Sequence, residues 1–373
     1  MKSPGRLTGE SCRRAIAVAG GVVALGLLAF AASSRSALAA GGGAEAASRL
    51  RVTDIGFGGP TPTPLGTQSL TRITSPECCA LVGWSADSRS ILVLTQTAPD
   101  QVAQVRAIPV AGGKEEVAWK RPAAFSPDGS LAIELDGEAV RVTRRDSGSS
   151  WTIANGGREL RFAPDGTRVA WEVVSSGITH PDVREHGLWV AEVTGAKARK
   201  VATTIGGGLV GWAQGGQALI ATGRLQPNGQ EGIWSIGLDG SEPRLIHQVY
   251  RPRDPLLSPG GEWIAFHVAF TGDAGQNGLW IVRVDGSALS KITPFGAYRW
   301  RAAGRLLLIP LTTDQAPTLF EVDASAGRAV QITDPALTSL PIANGDWLVS
   351  PDGSQVAFTS WADRAIWVLA LPE

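Results

Sequence analysis

Phe125-Ser126-Pro127-Asp128-Gly129-Ser130-Leu131-Ala132-Ile133-Glu134 is the stretch that decides the fold of this 373-residue chain. A large apolar residue opens it. Ser-Pro-Asp-Gly then supplies turn chemistry: proline fixes φ, aspartate bonds nearby backbone, and glycine accepts positive φ. An alternating or apolar run follows, the signature of a strand. The phrase has seven copies, beginning at Trp84, Phe125, Phe162, Trp212, Leu257, Trp300 and Val349, spaced 37 to 50 residues apart. A period of this size signals a repeat architecture.

Working outward, most repeats carry a third strand with an aromatic near its start: Trp189, Trp234, Trp280, Phe320 and Trp367. A second turn, often Asp-Gly (Asp239-Gly240, Asp285-Gly286), leads to a fourth strand ending near a threonine, as in Ile292-Thr293 and Ile332-Thr333. The unit reads as a four-stranded antiparallel meander, which matches a propeller blade. The fold class expected is all-β, a single β-propeller of seven blades over residues 68–373, ahead of six or eight. The tryptophans then fill space between stacked sheets. The last repeat has no fourth strand of its own. Residues 68–74 end in the same Ile-Thr (Ile73-Thr74) and are expected to supply it, which removes exposed sheet edges.

Ser126-Pro127-Asp128-Gly129, Ala163-Pro164-Asp165-Gly166 and Ser350-Pro351-Asp352-Gly353, with Ser258-Pro259-Gly260-Gly261 as a looser copy, resemble the PD-type, WD-like propeller repeat. That repeat occurs in the propellers of the translocation protein TolB and of prolyl oligopeptidases. The resemblance covers residues 68–373 and implies a fold, since its residues make a structural turn. TolB has an α/β domain ahead of a six-bladed propeller, whereas seven repeats follow a short linker here. No Gly-x-Ser-x-Gly elbow occurs. The resemblance thus implies an isolated propeller of this kind.

The first 39 residues have the makeup of a targeting segment. Lys2, Arg6, Arg13 and Arg14 precede an apolar run from Ala15 to Ala32, and Ala37-Leu38-Ala39 offers small residues for cleavage. A cleaved secretory signal and a retained single-pass anchor both fit. Residues 40–67 read as a Gly/Pro-rich linker. Either way the chain is expected to be exported, periplasmic or extracellular, secreted or anchored to the cytoplasmic membrane. Whole-chain formal charge is zero, and the leading 39 residues hold five basic residues against Glu10, so the remainder is about −4. That balance argues against nucleic acid.

Cys78 and Cys79 are adjacent. Two buried thiols, a vicinal disulfide and an intermolecular bridge are the alternatives. Metal sites want spaced ligands, so no metal or other cofactor is expected. His180 and His186, with Asp182, Arg184 and Glu185, read as a solvated polar loop ahead of a metal site. No phosphate loop, His-Glu-x-x-His or EF-hand pattern occurs.

Blade topology separates two faces. The Pro-Asp-Gly and Asp-Gly turns fall on one. The long second-to-third-strand loops (95–104, 175–187, 223–231, 269–277, 311–317) and connections such as 247–255 and 294–299 fall on the other. Binding residues concentrate on variable loops over a rigid scaffold. The candidate surface is therefore the long-loop face, with His180, Asp182, Arg184, Glu185, His186, Tyr250, Arg251, Arg253, Asp254, Tyr298 and Arg299, and no catalytic residue is assigned. The leading expectation is a monomeric, non-catalytic module binding a protein or peptide of the cell envelope. The alternative is a propeller enzyme (hydrolase, lyase or quinone-dependent dehydrogenase) with its site at the channel mouth. A membrane-anchored regulator ranks last.

Overall fold

The computed structural model describes residues 52–55, 69–96, 101–177, 180–311 and 316–372. The expected targeting segment and most of the expected linker lie outside them. The described chain is almost wholly β, with three short 3₁₀ turns. Among the described residues no helix is long and apolar enough to cross a membrane.

The Ser-Pro-Asp-Gly phrase behaves as its chemistry dictates. Ser126 Oγ donates to Asp128 Oδ1 at 2.5 Å and accepts from Leu131 N at 3.0 Å, while Asp128 Oδ1 also accepts from Ser130 N at 3.1 Å. The turn closes with Gly129 N donating to Ser126 O, and Gly129 has φ 71°. Ser350 and Asp352 repeat the pattern. In the first copy Ser85 and Asp87 do so too, with Ser88 taking the glycine position at φ 61°.

Among the described residues the strands form six sheets. Sheet I runs from Ala80–Trp84 to Glu116–Trp119, and sheet II from Ala124–Phe125 to Ser150–Ile153. Sheet III has seven strands from Arg161–Phe162 to Arg244–Gln248. Sheet IV runs from Arg253–Leu257 to Leu289–Ile292, and sheet V from Gly296–Ala302 to Arg328–Gln331. Sheet VI contains Ile342–Val349, Gln355–Ser360 and Ile366–Ala370. Within each repeat, neighbouring strands are antiparallel and in chain order.

Sheet III holds two repeats because Arg199–Trp212 is one 14-residue strand that ends the third repeat and opens the fourth. Gly206–Gly208 let it pass close to its neighbours: a Cβ on Gly207 would lie 2.1 Å from Thr222 O. At the seam between chain ends, Leu70–Arg72 pairs antiparallel with Ile366–Ala370, the pairing expected of residues 68–74. Inside the expected linker, Val52–Ile55 is a fifth strand of sheet IV, parallel to Leu289–Ile292. Ile55, 1% exposed, fills the core between sheets IV and V.

Among the described residues seven apolar clusters lie between successive units. Leu92 and Leu94 of sheet I meet Phe125 of sheet II, and Val142 of sheet II meets Trp171 of sheet III. Leu188 meets Trp212 across the two halves of sheet III, and Ile233 meets Phe266 of sheet IV. Ile281 meets Leu308 of sheet V, Leu307 meets Phe358 of sheet VI, and Ile366 of sheet VI meets Ile91 of sheet I. Phrase-opening tryptophans bridge the same units through Nε1: Trp84 to Leu348 O, Trp212 to Arg161 O and Trp300 to Leu256 O. Most tryptophans are therefore core, with Trp361 the clear exception at 64% exposed.

Cys78 and Cys79 form a disulfide with each other, which selects one of the three sequence alternatives and overturns the reading as buried thiols.

Candidate functional site

The long loops carry the exposed apolar surface. Of the eleven large hydrophobic residues exposed among the described residues, nine sit in or beside the second-to-third-strand loops and inter-repeat connections: Val102, Leu135, Val173, Val183, Tyr250, Phe270, Leu311, Leu337 and Trp361. Val52 and Val117 lie on outer strands, and none lies on the Pro-Asp-Gly turns.

Around this face the eleven sequence-derived candidates fall into three groups. In the first, Pro181–Val183 forms a 3₁₀ turn capped by His180, whose Nδ1 accepts from Asp182 N. Arg251 pairs with the Asp182 carboxylate, Arg224 donates to Asp182 O, and Arg251 N donates to Glu231 Oε1 at 2.9 Å. Arg251 also lies 5.0 Å over the Tyr250 ring. The Arg184 N–H closes the 3₁₀ turn on Pro181 O, and Glu185 N donates to Ser175 Oγ.

His186 belongs to a second group. It lies in the strand Glu185–Glu192 rather than in the loop, opposite Val174 and diagonal to Glu172 on the neighbouring strand. Nδ1 is 3.5 Å from Glu172 Oε2, without the alignment of a hydrogen bond, and Oε2 accepts from Leu209 N at 2.8 Å. Burial pushes the Glu172 carboxyl up, but the His186 ring and the Leu209 amide outweigh it and hold the carboxyl below its ordinary value. A Cβ on Gly208 would meet Glu172 Oε2 at 2.5 Å, so a side chain there would displace the carboxylate.

The third group corrects the sequence reading of 294–299 as a surface connection. Gly296–Ala302 is a strand, and Tyr298 is buried at 3% exposure, donating to Asp254 O. Burial first, then the Asp254 charge, pushes its phenol well above the ordinary value. Arg299 lies 5.4 Å over the Trp347 ring, and burial lowers its pKa. His267 packs edge-on against Tyr298 at 4.8 Å, and burial lowers its pKa as well. Tyr298 and Arg299 are therefore part of the packing beneath the face. Arg253, next to Asp254 in sequence, is exposed and lies 5.7 Å over the Phe270 ring.

Sequence reasoning missed Glu172, Arg224, Phe270 and Trp361. Phe270 and Trp361 carried a usable signal: each is a large aromatic in a loop after a second strand, outside the core phrase. Glu172 carried none, because only strand pairing brings it to His186.

The opposite face has a cleft of about 560 Å³ between sheets I and II, lined by residues including Ala107, Ala118, Phe125, Asp128 and Arg145. Trp171 faces Trp189 in the third repeat, stacked at 6.2 Å, whereas Glu134 faces Arg141 at the matching positions of the second. Among the described residues no three His, Cys, Asp or Glu side chains are grouped to hold a metal.

No family model matches the chain. An uncharacterized protein of Agrobacterium fabrum is 29% identical over 202 residues, 50% of this chain and 64% of that protein, so the match spans less than two thirds of the relative. Among solved structures, oligogalacturonate lyase from Vibrio parahaemolyticus superposes with a TM-score of 0.60 at 12% identity, covering 84% of this chain and 97% of the lyase. A prolyl endopeptidase superposes with a TM-score of 0.50 at 15% identity, over 82% of this chain and 50% of the endopeptidase. TolB from Acinetobacter baumannii gives 0.39 at 14% identity, over 75% of this chain and 78% of TolB, which adds nothing to the fold assignment. At such identities the lyase and endopeptidase likenesses speak to fold alone: the chain is a β-propeller.

Proposed function

We propose that the chain is an exported, closed seven-bladed propeller whose long-loop face binds a protein or peptide of the cell envelope. Seven clusters between successive units, the last joining sheet VI to sheet I, support closure and the blade count. The observation that carries the binding reading is the gathering of exposed apolar side chains on one face. The exposed Tyr250, Arg253 and Trp361 are of the types that dominate binding energy. The test is in-cell cross-linking of the full chain carrying Tyr250→Ala and Arg253→Ala. Capture of the cross-linked partner should fall while the thermal transition is kept. Unchanged cross-linking to every envelope partner would reject this face.

A catalytic reading draws support from one feature, the Glu172–His186 pair, since a carboxylate beside an imidazole can orient a general base. Incubating the full chain with oligogalacturonate tests it for the lyase class. Turnover abolished by His186→Gln would favour an enzyme, and no turnover would remove that class.

A further inference from the structure

Cys78–Cys79 lies on the connection from the seam strand Leu70–Arg72 to the first strand of sheet I, Ala80–Trp84. A disulfide stabilises a fold largely by closing a chain loop, and the effect grows with loop length. This bond joins sequence neighbours, so it closes none. Its contribution is local, and its surroundings say where it acts. Cys78 is exposed, while Cys79 is part-buried and packs on the cluster that joins sheets VI and I. The preceding residue, Glu77, has φ 53°, a left-handed conformation that non-glycine residues seldom hold without support. Glu77 N donates to Arg364 O at 3.2 Å, Ile73 N donates to Ile366 O at 2.9 Å, and Thr74 Oγ1 accepts from Ile366 N at 2.9 Å. The segment between the seam strand and sheet I is thus tied to the last strand at its long-loop end, with the disulfide beside Glu77; Arg364, across the tie, is left-handed as well, at φ 58°.

We propose that Cys78–Cys79 is a thiol–disulfide exchange site that sets how firmly the first and last repeats are joined at their long-loop end. The co-reactant is a dithiol reductant. Its thiolate attacks the exposed Cys78 Sγ; the Cys78–Cys79 bond breaks, a mixed disulfide forms on Cys78, and the Cys79 thiolate leaves and takes up a proton. The second thiol of the reductant then attacks its own sulfur in the mixed disulfide and releases Cys78 as a thiol. Two electrons and two protons pass to the protein, and the reductant leaves as a disulfide. Once the disulfide is open, Glu77 relaxes and its bond to Arg364 loosens. The propeller core, held by other contacts, stays folded.

The test uses the full chain with Cys12→Ser, so that two thiols are at issue, in dithiothreitol buffers of graded ratio, with N-ethylmaleimide trapping and intact mass. Two alkyl groups should add under native conditions. Amide exchange across residues 72–80 and 364–366 should rise about fivefold or more, and reoxidation should reverse it. The melting temperature should move by less than about 2 °C. Cys78→Ser with Cys79→Ser should show the fast exchange with or without reductant. Labelling only on global unfolding, labelling without faster local exchange, or a melting temperature that falls in step with labelling would each overturn the proposal.

Discussion

The two ends of the repeats are built to opposite rules. On the turn end, short Ser-Pro-Asp-Gly loops bury their serines (Ser126, Ser258 and Ser350 are 6%, 4% and 3% exposed) and spend their polar atoms on one another. On the long-loop end, lengths vary and apolar side chains face solvent, with Phe270 at 90% and Trp361 at 64% exposure. Regularity of sequence therefore marks the scaffold, and irregularity marks the surface free to take on a partner. Where the scaffold rule lapses, another device replaces it. The sixth copy, Trp300-Arg301-Ala302-Ala303-Gly304, has no serine or aspartate. Arg301 reaches across to Gly353 O at 2.8 Å, to Pro372 O, and to Glu321 at 2.6 Å.

The contrast makes the turn end sensitive to substitution and the loop end tolerant, and the largest effect should come from Arg301. Arg301→Met strips a part-buried Glu321 of its closest partner and unties the last repeat. It should cost about 3 kcal/mol by urea unfolding, near the low end for a broken buried pair because Arg305 also approaches Glu321 at 3.1 Å. Ser350→Ala removes the hydroxyl joined to Asp352 and Gln355 and should cost about 1–2 kcal/mol in the same assay.

Acid should act through the same turns. Serine hydroxyls hold Asp87 and Asp128 below the ordinary carboxylate pKa, the Thr167 amide does so for Asp165, and at Asp352 bonds from Ser350 and Ser354 outweigh burial, which pushes up. Folding lowers these pKa values, so the unfolded chain binds more protons as pH drops. Their stabilisation is complete above the ordinary value of ~3.9 and is lost as pH falls through the lowered, folded-state values. The urea midpoint should decline below that range, and Asp128→Asn with Asp352→Asn should flatten the decline. A decline of unchanged slope would place the acid sensitivity elsewhere. At the other end of the repeats, Phe270→Ser should change stability by less than ~0.5 kcal/mol.

How far these rules could be read beforehand follows from where each signal resides. The turns were legible because proline, aspartate and glycine act within four residues. The seam strand was legible because Ile73-Thr74 repeats the ending of other fourth strands. The fusion of two repeats into sheet III was not, because it depends on Gly206–Gly208 approaching Thr222 and Glu172, residues brought near only by pairing. Tyr298 reads as a polar surface residue beside Arg299 until Asp254 O is seen to accept its hydroxyl. The Cys78–Cys79 bond was one of several open choices, since adjacency alone does not select among them.

The most direct test of the proposed binding face is site-specific photo-cross-linking in the cell. A benzoylphenylalanine is placed singly at Phe270, Leu337 or Trp361 on the long-loop end, and at Ala86, Glu242 or Ala326 on the turn end. The same partner should be captured from two or more long-loop positions and from no turn position. Capture from the turn positions, with none from the long loops, would contradict the account.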